Sequence, residues 1–342
     1  MEEKAYESLP YDLIVDILSR LPVKSLVRFK SVSKCWLNLF TDPYFVKMHL
    51  NRSHKRKKLV SWCTCSPIFF TNIPLICSLD NDQPKAVHIE SLLPFRTESI
   101  RFYGSCDGLI LFLNFPSRRL CLLNPSTREL NKLPNSPFQN RLTVSYGFGY
   151  DASADDYKVV EVSFTGFQSN ASVYALKTNC WRKVHSFPYG IRIYNGGTLF
   201  NGVLHWLACG KMPRIVAFHL ADDKFQDIPF PCFETPRPSP RVIGVVRGSL
   251  CIKVTSDELW VMNEYGKRES WIKVNFRQKE TAATFRPSTK PLMVQNYNLE
   301  KNTYSYIQIP CTHDCHGKLT DHHEAENCLE SIVSPSHVIT HD

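Results

Sequence analysis

Residues 104–134, GSCDGLILFLNFPSRRLCLLNPSTRELNKLP, contain the pattern that decides the fold of most of the chain. Asp107-Gly108 places a polar residue and a turn residue before an apolar run, and residues 120–134 place two strand-like segments around a polar turn. Apolar alternation on both sides of a short polar turn is the local signature of antiparallel pairing. The stretch therefore predicts antiparallel β-structure.

The same pattern returns along the chain at an almost constant spacing. Asp155-Asp156, Asn201-Gly202 and Arg247-Gly248 also precede apolar strands, and the steps between positions 108, 155, 202 and 248 are 47, 47 and 46 residues. Hairpin-like segments follow at 120–134, 173–188, 215–231, 259–274, 293–310 and, more weakly, 76–94. Six units of roughly 40–50 residues predict a kelch-like β-propeller of about six blades. A β-sandwich or two smaller β domains is the alternative.

The N-terminal region follows different rules. It lacks glycine up to residue 103, whereas all 14 glycines lie from Gly104 to Gly317. Apolar residues at helical spacing predict short helices over 10–20 and 24–31, a third helix capped by Ser33 and a fourth over 44–50. Residues 9–50 hold 23 apolar residues among 42, more than so short a segment buries alone. We expect this module to complete its core on another protein; a helical cap packed on the body is the alternative.

Composition limits the class of protein. The 342 residues carry a net charge of +9, and residues 1–310, with 40 basic and 26 acidic side chains, carry +14. A basic body suits an acidic partner or loose nucleic-acid contact and decides neither. The basic run 52–58 is typical of a solvated linker, with a nuclear import signal as the alternative. Nucleic-acid binding is the weaker interpretation, because no aromatic residue interleaves these charges. The 13 cysteines are irregularly spaced, and we expect no signal peptide, no membrane span and a cytoplasmic or nuclear location.

Residues 9–50, LPYDLIVDILSRLPVKSLVRFKSVSKCWLNLFTDPYFVKMHL, closely resemble the F-box of plant F-box proteins. Ser33 departs from the pattern, because the family usually carries Cys there. The body resembles the F-box-associated, kelch-like domain of the same proteins through GSCDGLILF, LNPSTREL, YGFGYD followed by DDYKVV, GVLHWLA and the terminal ESIVSP. The fold expected is therefore an α+β multidomain protein, with a helical F-box at 1–50, a basic linker at 51–58, an all-β propeller at 59–310 and a polar, frayed tail at 311–342.

The resemblance implies a non-catalytic substrate receptor of a Skp–cullin–F-box ubiquitin ligase. The F-box would bind a Skp-family adaptor and through it a cullin, and the propeller would hold a target protein for ubiquitination and proteasomal degradation. A basic rim is expected from Lys24, Arg28, Lys30 and Lys34. The residues expected to form or support the adaptor-binding face are Leu9, Pro10, Leu13, Ile17, Leu21, Pro22, Leu26, Val27 and Trp36.

Target recognition is expected in loops, because propeller strands are committed to packing. Three long connections, 135–145, 163–172 and 232–241, are the candidates, with Phe167, Phe233 and Arg237 as anchors. The alternative for each ring is that it packs back onto a blade. We expect at least two of these loops to share one face.

No enzyme motif is found: the sequence has no G-x-S-x-G, no P-loop and no dinucleotide fingerprint. The tail holds potential zinc ligands at Cys311, His313, Cys315, His316, His322, His323 and Cys328, but their spacing matches no standard finger. We therefore expect no metal and no cofactor. The alternative function is a stand-alone β-propeller that binds protein or carbohydrate without a link to ubiquitination.

Overall fold

The computed structural model describes most of the chain. The described residues are 9–53, 57–64, 72–78, 85–88, 92–95, 99–138, 144–164, 169–185, 192–193, 196–209, 213–232, 242–246, 248–254, 258–275, 292–298, 303–309, 323–329 and 331–336.

Four short helices form the N-terminal module, as predicted. They are α1 Tyr11–Leu18, α2 Val23–Phe29, α3 Lys34–Thr41 and α4 Pro43–Arg52. Ser33 caps α3 by accepting a hydrogen bond from the Trp36 amide at 3.2 Å, and Asp42 caps α4 through the Phe45 amide at 3.0 Å. Pro10 lies one residue before α1 rather than in its first turn, and Pro22 precedes α2 in the same way.

The remainder is built from antiparallel strands. Four sheets of propeller type follow one another along the chain, which we name blade 1 (β4–β7), blade 2 (β8–β11), blade 3 (β13–β16, with β12 also on β14) and blade 4 (β17–β20). The strands are β1 Lys57–Thr64, β2 Asn72–Ser78, β3 Lys85–His88, β4 Ser99–Cys106, β5 Leu109–Phe115, β6 Arg119–Asn124, β7 Glu129–Lys132, β8 Val144–Asp151, β9 Asp156–Phe164, β10 Ser169–Ala175, β11 Cys180–Val184, β12 Arg192–Ile193, β13 Thr198–Phe200, β14 Val203–Cys209, β15 Arg214–His219, β16 Lys224–Ile228, β17 Val242–Val246, β18 Ser249–Lys253, β19 Glu258–Met262, β20 Trp271–Asn275, β21 Leu292–Asn298, β22 Thr303–Ile309 and β23 His323–Leu329.

All six predicted hairpins are confirmed, as β2–β3, β6–β7, β10–β11, β15–β16, β19–β20 and β21–β22. The hairpin β2–β3 is part of one large sheet with blade 1, because Asn72 of β2 pairs with Ile100 of β4. β21 and β22 form a separate two-stranded sheet.

The repeated turn residues have a conformational reason. Asp107-Gly108 and Asn201-Gly202 are two-residue turns with all four residues at positive φ, between 49° and 84°. Such turns match the twist of a hairpin and favour Asn, Asp and Gly. Four-residue turns end instead on one left-handed residue, namely Arg128, Asp155, Asn179 and Asp223. The spacing of 46 or 47 residues is therefore the distance along the chain between the turns that join the first and second strands of successive blades.

The tail expected to be frayed is partly structured. β23 pairs antiparallel with β1, from Lys57↔Leu329 to Cys63↔His323, so that the last strand of the chain lies beside the first. Residues 331–333 are buried. The expectation failed because strand pairing uses backbone groups, which a polar sequence such as HEAENCL also provides. The basic run at 51–58 is likewise divided between the end of α4 and the start of β1.

Blades 2 and 3 approach each other closely at their first strands. The Gly197 amide donates to the Tyr146 carbonyl at 2.8 Å, and Gly147 and Gly197 form a parallel bridge between blades 2 and 3. A Cβ on Gly147 would lie 2.7 Å from the Trp206 ring, which is itself fully buried. Glycine at this position lets β8 and the residue before β13 approach each other closely.

Candidate protein-binding site

Helix α1 carries an apolar stripe that is open to solvent. Leu13 and Ile17, four residues apart and so on one side of the helix, are 51% and 50% exposed, and Leu9, two residues before the helix begins, is 58% exposed. Single exposed apolar side chains are common, but a contiguous row marks an interaction surface. We name these three residues the α1 stripe.

Another side of α1 packs into a small helical core. Leu18 packs there with Val23, Leu26, Phe40 and Phe45. Leu26, one of the residues predicted for the adaptor-binding face, is fully buried. It can support that face through the helical core, but it cannot contact a partner directly. Trp36 is half-buried and packs edge-on against Phe29 at 5.1 Å and Phe40 at 6.0 Å.

The other predicted residues divide by exposure. Pro10 and Pro22, which directly precede α1 and α2, are exposed. Leu21 and Val27 are half-buried against the helical core. The sequence interpretation missed four exposed large apolar residues of the same module, which are Tyr11, Val32, Leu37 and Tyr44. Helical periodicity would not have indicated Leu37, because it lies three residues before the buried Phe40 on α3 and so on a neighbouring side of that helix.

Three of the four residues of the predicted basic rim are exposed, and their role in binding stays a prediction. Lys24, Arg28 and Lys34 are exposed. Lys30 is not part of a rim, because its Nζ lies 3.5 Å from the Glu129 carboxylate at the start of β7. The C-terminal end of α2 places Lys30 against blade 1, a contact between distant segments that sequence spacing does not reveal.

A short C-terminal segment, Ser331–Pro335, joins the helices to the propeller. Ile332 inserts into the helical core, whereas its neighbour Val333 packs into the core shared by blades 1 and 2. Alternate side chains of an extended segment point to opposite sides. The helical module therefore completes one part of its core on its own chain, as the helical-cap alternative required, while the α1 stripe stays open.

Asn124 holds this segment in place. The side chain is fully buried and its Nδ2 donates to the Ser331 carbonyl at 3.0 Å and to the Val333 carbonyl at 2.8 Å. Its Oδ1 accepts from the Ser126 amide at 2.8 Å within the turn after β6. The motifs LNPSTREL and ESIVSP, separate in the sequence, thus form one hydrogen-bonded unit.

Ion pairs add to the junction. Lys47 of α4 lies 2.8 Å from Asp155 in the turn between β8 and β9. The hydrogen bond from Lys47 lowers the pKa of Asp155 to about 2, with further help from the Tyr150 hydroxyl, which donates to the same carboxylate. Within the module, Arg52 of α4 reaches the Asp16 carboxylate at 2.7 Å, and Arg20 and Arg52 lower the pKa of Asp16.

The helices contact only one end of the blades among the described residues. Their partners are Glu129, Asp155 and the segment held by Asn124, whose Ser331 hydroxyl donates to the Asp107 carbonyl; Asp107, Glu129 and Asp155 all lie at or beside hairpin turns. We name this the helix end. The opposite, far end carries the β5–β6 turn and the ends of the strands that the three predicted target loops connect.

The predicted target residues Phe167, Phe233 and Arg237 lie outside the described residues. So do the possible zinc ligands from Cys311 to His322. Within the described part of the chain, no group of three His, Cys, Asp or Glu residues could hold a metal ion. No helix in that part has the length and apolarity needed to cross a membrane.

Comparisons with known proteins agree with this two-part architecture. A profile of the F-box domain matches residues 7–48, and a profile of the F-box associated beta propeller domain matches residues 66–293. F-box protein CPR1 of Arabidopsis thaliana is 31% identical over 325 residues, covering 84% of this chain and 77% of that protein. An F-box/kelch-repeat protein of the same plant is 30% identical over 294 residues, covering 78% of this chain and 79% of its own length.

Solved structures give weaker matches. TolB from Acinetobacter baumannii superimposes with a TM-score of 0.42 at 12% identity, covering 68% of this chain and 56% of that one. The β-propeller domain of the Trilobed protease from Pyrococcus furiosus gives a TM-score of 0.33 at 8% identity, and the match covers 61% of this chain and 81% of that domain.

Proposed function

Because the chain belongs to the F-box proteins with an F-box-associated β-propeller domain, we propose that it is the substrate-recognition subunit of a Skp–cullin–F-box ubiquitin ligase. In this role it performs no chemistry itself. Holding a target lysine close to the charged ubiquitin carrier raises the effective concentration of the two reactants. We place this activity in the cytoplasm or the nucleus, with degradation of the target by the proteasome as its outcome.

The observation that carries the proposal is the open α1 stripe on a helical module that is otherwise anchored. A helical cap would turn its apolar surface towards the body, yet Leu9, Leu13 and Ile17 remain half exposed or more. The stripe suits a Skp-family adaptor that binds by apolar contacts, with Lys24, Arg28 and Lys34 as a polar rim. Leu26 and Trp36 then hold the helices that present the stripe.

The geometry supports separate surfaces for the adaptor and the target. The helices occupy the helix end of the blades through Lys30, Lys47 and Ile332, which leaves the far end for a target protein. The strands flanking all three predicted target loops terminate at the far end, which supports the proposal that these loops share one face. A target bound there would be held away from the adaptor.

Ile17 and Ile272 offer a matched test, since they are 50% and 49% exposed on the helical module and on blade 4. We expect Ile17→Glu to weaken binding of a purified Skp-family adaptor at least 100-fold and Leu13→Glu/Ile17→Glu to abolish it. Neither change should move the unfolding midpoint by more than a surface substitution does. Ile272→Glu should bind the adaptor as the unchanged protein does.

Calorimetry with the adaptor and thermal unfolding of each variant give these values. Equal adaptor affinity for Ile17→Glu and Ile272→Glu would overturn the proposed adaptor surface. Deletion of residues 1–50 is a less specific test, because it also uncovers Ile332.

Target recognition has its own test. Replacing Phe167, Phe233 and Arg237 by Ala should leave adaptor affinity and thermal stability nearly unchanged and should stop capture and degradation of the target. Normal degradation by the triple variant would place target recognition elsewhere on the propeller.

A further inference from the structure

A basic groove lies on the outer edge of blade 1 at the far end. It has a volume of about 460 Å³ and is lined by Phe95, Asn114, Ser117, Arg119, Cys121 and Lys132. Arg119 begins β6 and Lys132 ends β7, so both stand at the end of the blade that the helices leave free. The volume falls in the range of ordinary ligand pockets.

Among the described residues, the charged side chains that line this groove are both positive. Arg119 and Lys132 are exposed, and no ion pair joins either of them to a carboxylate among the described residues. Arg101 and Arg118 stand at the same end of blade 1, and the described stretches 92–95, 113–120 and 130–138 contain neither Asp nor Glu. On blades 3 and 4, by contrast, Arg214 pairs with Asp227 at 3.3 Å and Lys273 pairs with Glu258 at 3.2 Å.

The remaining lining residues shape a site for a peptide. The Lys132 ammonium lies 4.5 Å from the centre of the Phe95 ring, which gives the groove an apolar floor with a cation across it. The Asn114 amide and the Ser117 hydroxyl, 3.2 Å apart, form a polar wall. The Lys132 ammonium occupies the ring face that a nucleic-acid base would need for stacking in the groove.

We propose that this groove binds an acidic segment of the target protein, with Arg119 and Lys132 receiving its carboxylates. The inference rests on the proposed receptor function and gives the target a chemical class. Carboxylates prefer the paired donors of an Arg and are attracted by the Lys charge. The unbalanced positive charge of the body also favours encounter with an acidic partner.

The test uses a fluorescein-labelled hexaglutamate peptide and the full chain in a fluorescence anisotropy titration. We expect Arg119→Glu/Lys132→Glu to bind the peptide at least tenfold more weakly than the unchanged protein, and the affinity of the unchanged protein to fall with added salt. Lys224→Glu/Lys267→Glu is the matched control, because it changes the net charge equally at two exposed lysines of the helix end. The control should retain the peptide affinity within about twofold.

Three results would overturn the proposal: unchanged binding by the groove variant, an equal loss in the control variant, or tighter binding of a labelled hexauridine than of the peptide through the same two residues. Arg119→Ala/Lys132→Ala, which introduces no new charge, repeats the comparison if the reversed variant unfolds at a lower temperature. Adaptor capture by the groove variant is measured separately. A chain that binds the peptide and does not bind the adaptor would refute the ligase function, whereas the proposal that the groove binds an acidic segment would still hold.

Discussion

Helix α1 and strand β5 are both strongly apolar, and they differ in what covers them. Residues Leu109–Phe112 of β5 are fully buried, because neighbouring strands and packed layers enclose them on both faces. Leu13 and Ile17 of α1, with Leu9 just before it, face solvent, whereas another side of the helix packs into the helical core. The comparison shows that apolar content determines how much apolar surface of a segment must be shielded from water. Tertiary structure determines which part of that surface remains exposed for a partner.

The largest effect is expected where the two regions meet. Asn124→Ala would remove two buried hydrogen bonds to the carbonyls of Ser331 and Val333 and leave those carbonyls unsatisfied. We expect a loss of about 4 kcal/mol in the free energy of unfolding and faster hydrogen exchange in α1–α4. Asn131→Ala, which removes a single half-buried bond to the Pro335 carbonyl, should cost about 1 kcal/mol. Equal losses in urea unfolding would show that Asn124 does not join the regions.

Two neighbouring residues of the C-terminal segment 331–335, Ile332 and Val333, test separately the stability of the helical module and of the propeller. Ile332→Ala should destabilise the protein by about 3 kcal/mol and increase exchange mainly in the helices, since its side chain lies in their core. Val333→Ala should increase exchange mainly in blades 1 and 2. Hydrogen exchange read by mass spectrometry separates the two patterns. If both variants loosen the same region, the two cores are not separate.

A pH-dependent effect should arise in the propeller from His205. This side chain is fully buried with Nε2 2.8 Å from the Tyr265 hydroxyl, and burial lowers its pKa to about 4. Between about pH 6.5 and 4 the unfolded chain binds a proton that the folded chain does not, so stability falls as pH falls, by up to about 1.4 kcal/mol per pH unit.

His205→Gln should remove this contribution. The slope of unfolding free energy against pH between 6.5 and 4 should then be smaller than in the unchanged protein. An identical slope would exclude His205 as its source.

The smallest effect concerns the ion pair between the regions. Lys47 and Asp155 are each about half exposed, so Lys47→Met should cost less than about 1 kcal/mol, and the cost should decrease in high salt. Because the pKa of Asp155 is lowered to about 2, the contribution is present above about pH 4 and is lost as pH falls towards 2. Lys224→Met, in an exposed pair within one turn, is the control. A loss above about 2 kcal/mol in the free energy of unfolding for Lys47→Met would mean that this ion pair is a main source of stability at the junction.

Local sequence rules predicted the elements well. The six hairpins, the turns at Asp107-Gly108 and Asn201-Gly202 and the cap at Ser33 all depend on neighbouring residues, and all are confirmed. Family resemblance extended these elements to the F-box and propeller architecture. Contacts between distant segments were missed, including Lys30 with Glu129 and the pairing of β23 with β1.

The sequence by itself determined the helices, the hairpins, their period and the excess of apolar residues in 9–50, because periodicity and turn chemistry act over a few residues. Only the tertiary structure decided that Ile332 fills the helical core, that Asn124 binds the chain more than 200 residues away, and that the α1 stripe stays open. It also brought Phe95, Arg119 and Lys132 into one groove. The physical reason is that the strands of a propeller come together from separate parts of the chain, and the partners they acquire there have no local signal.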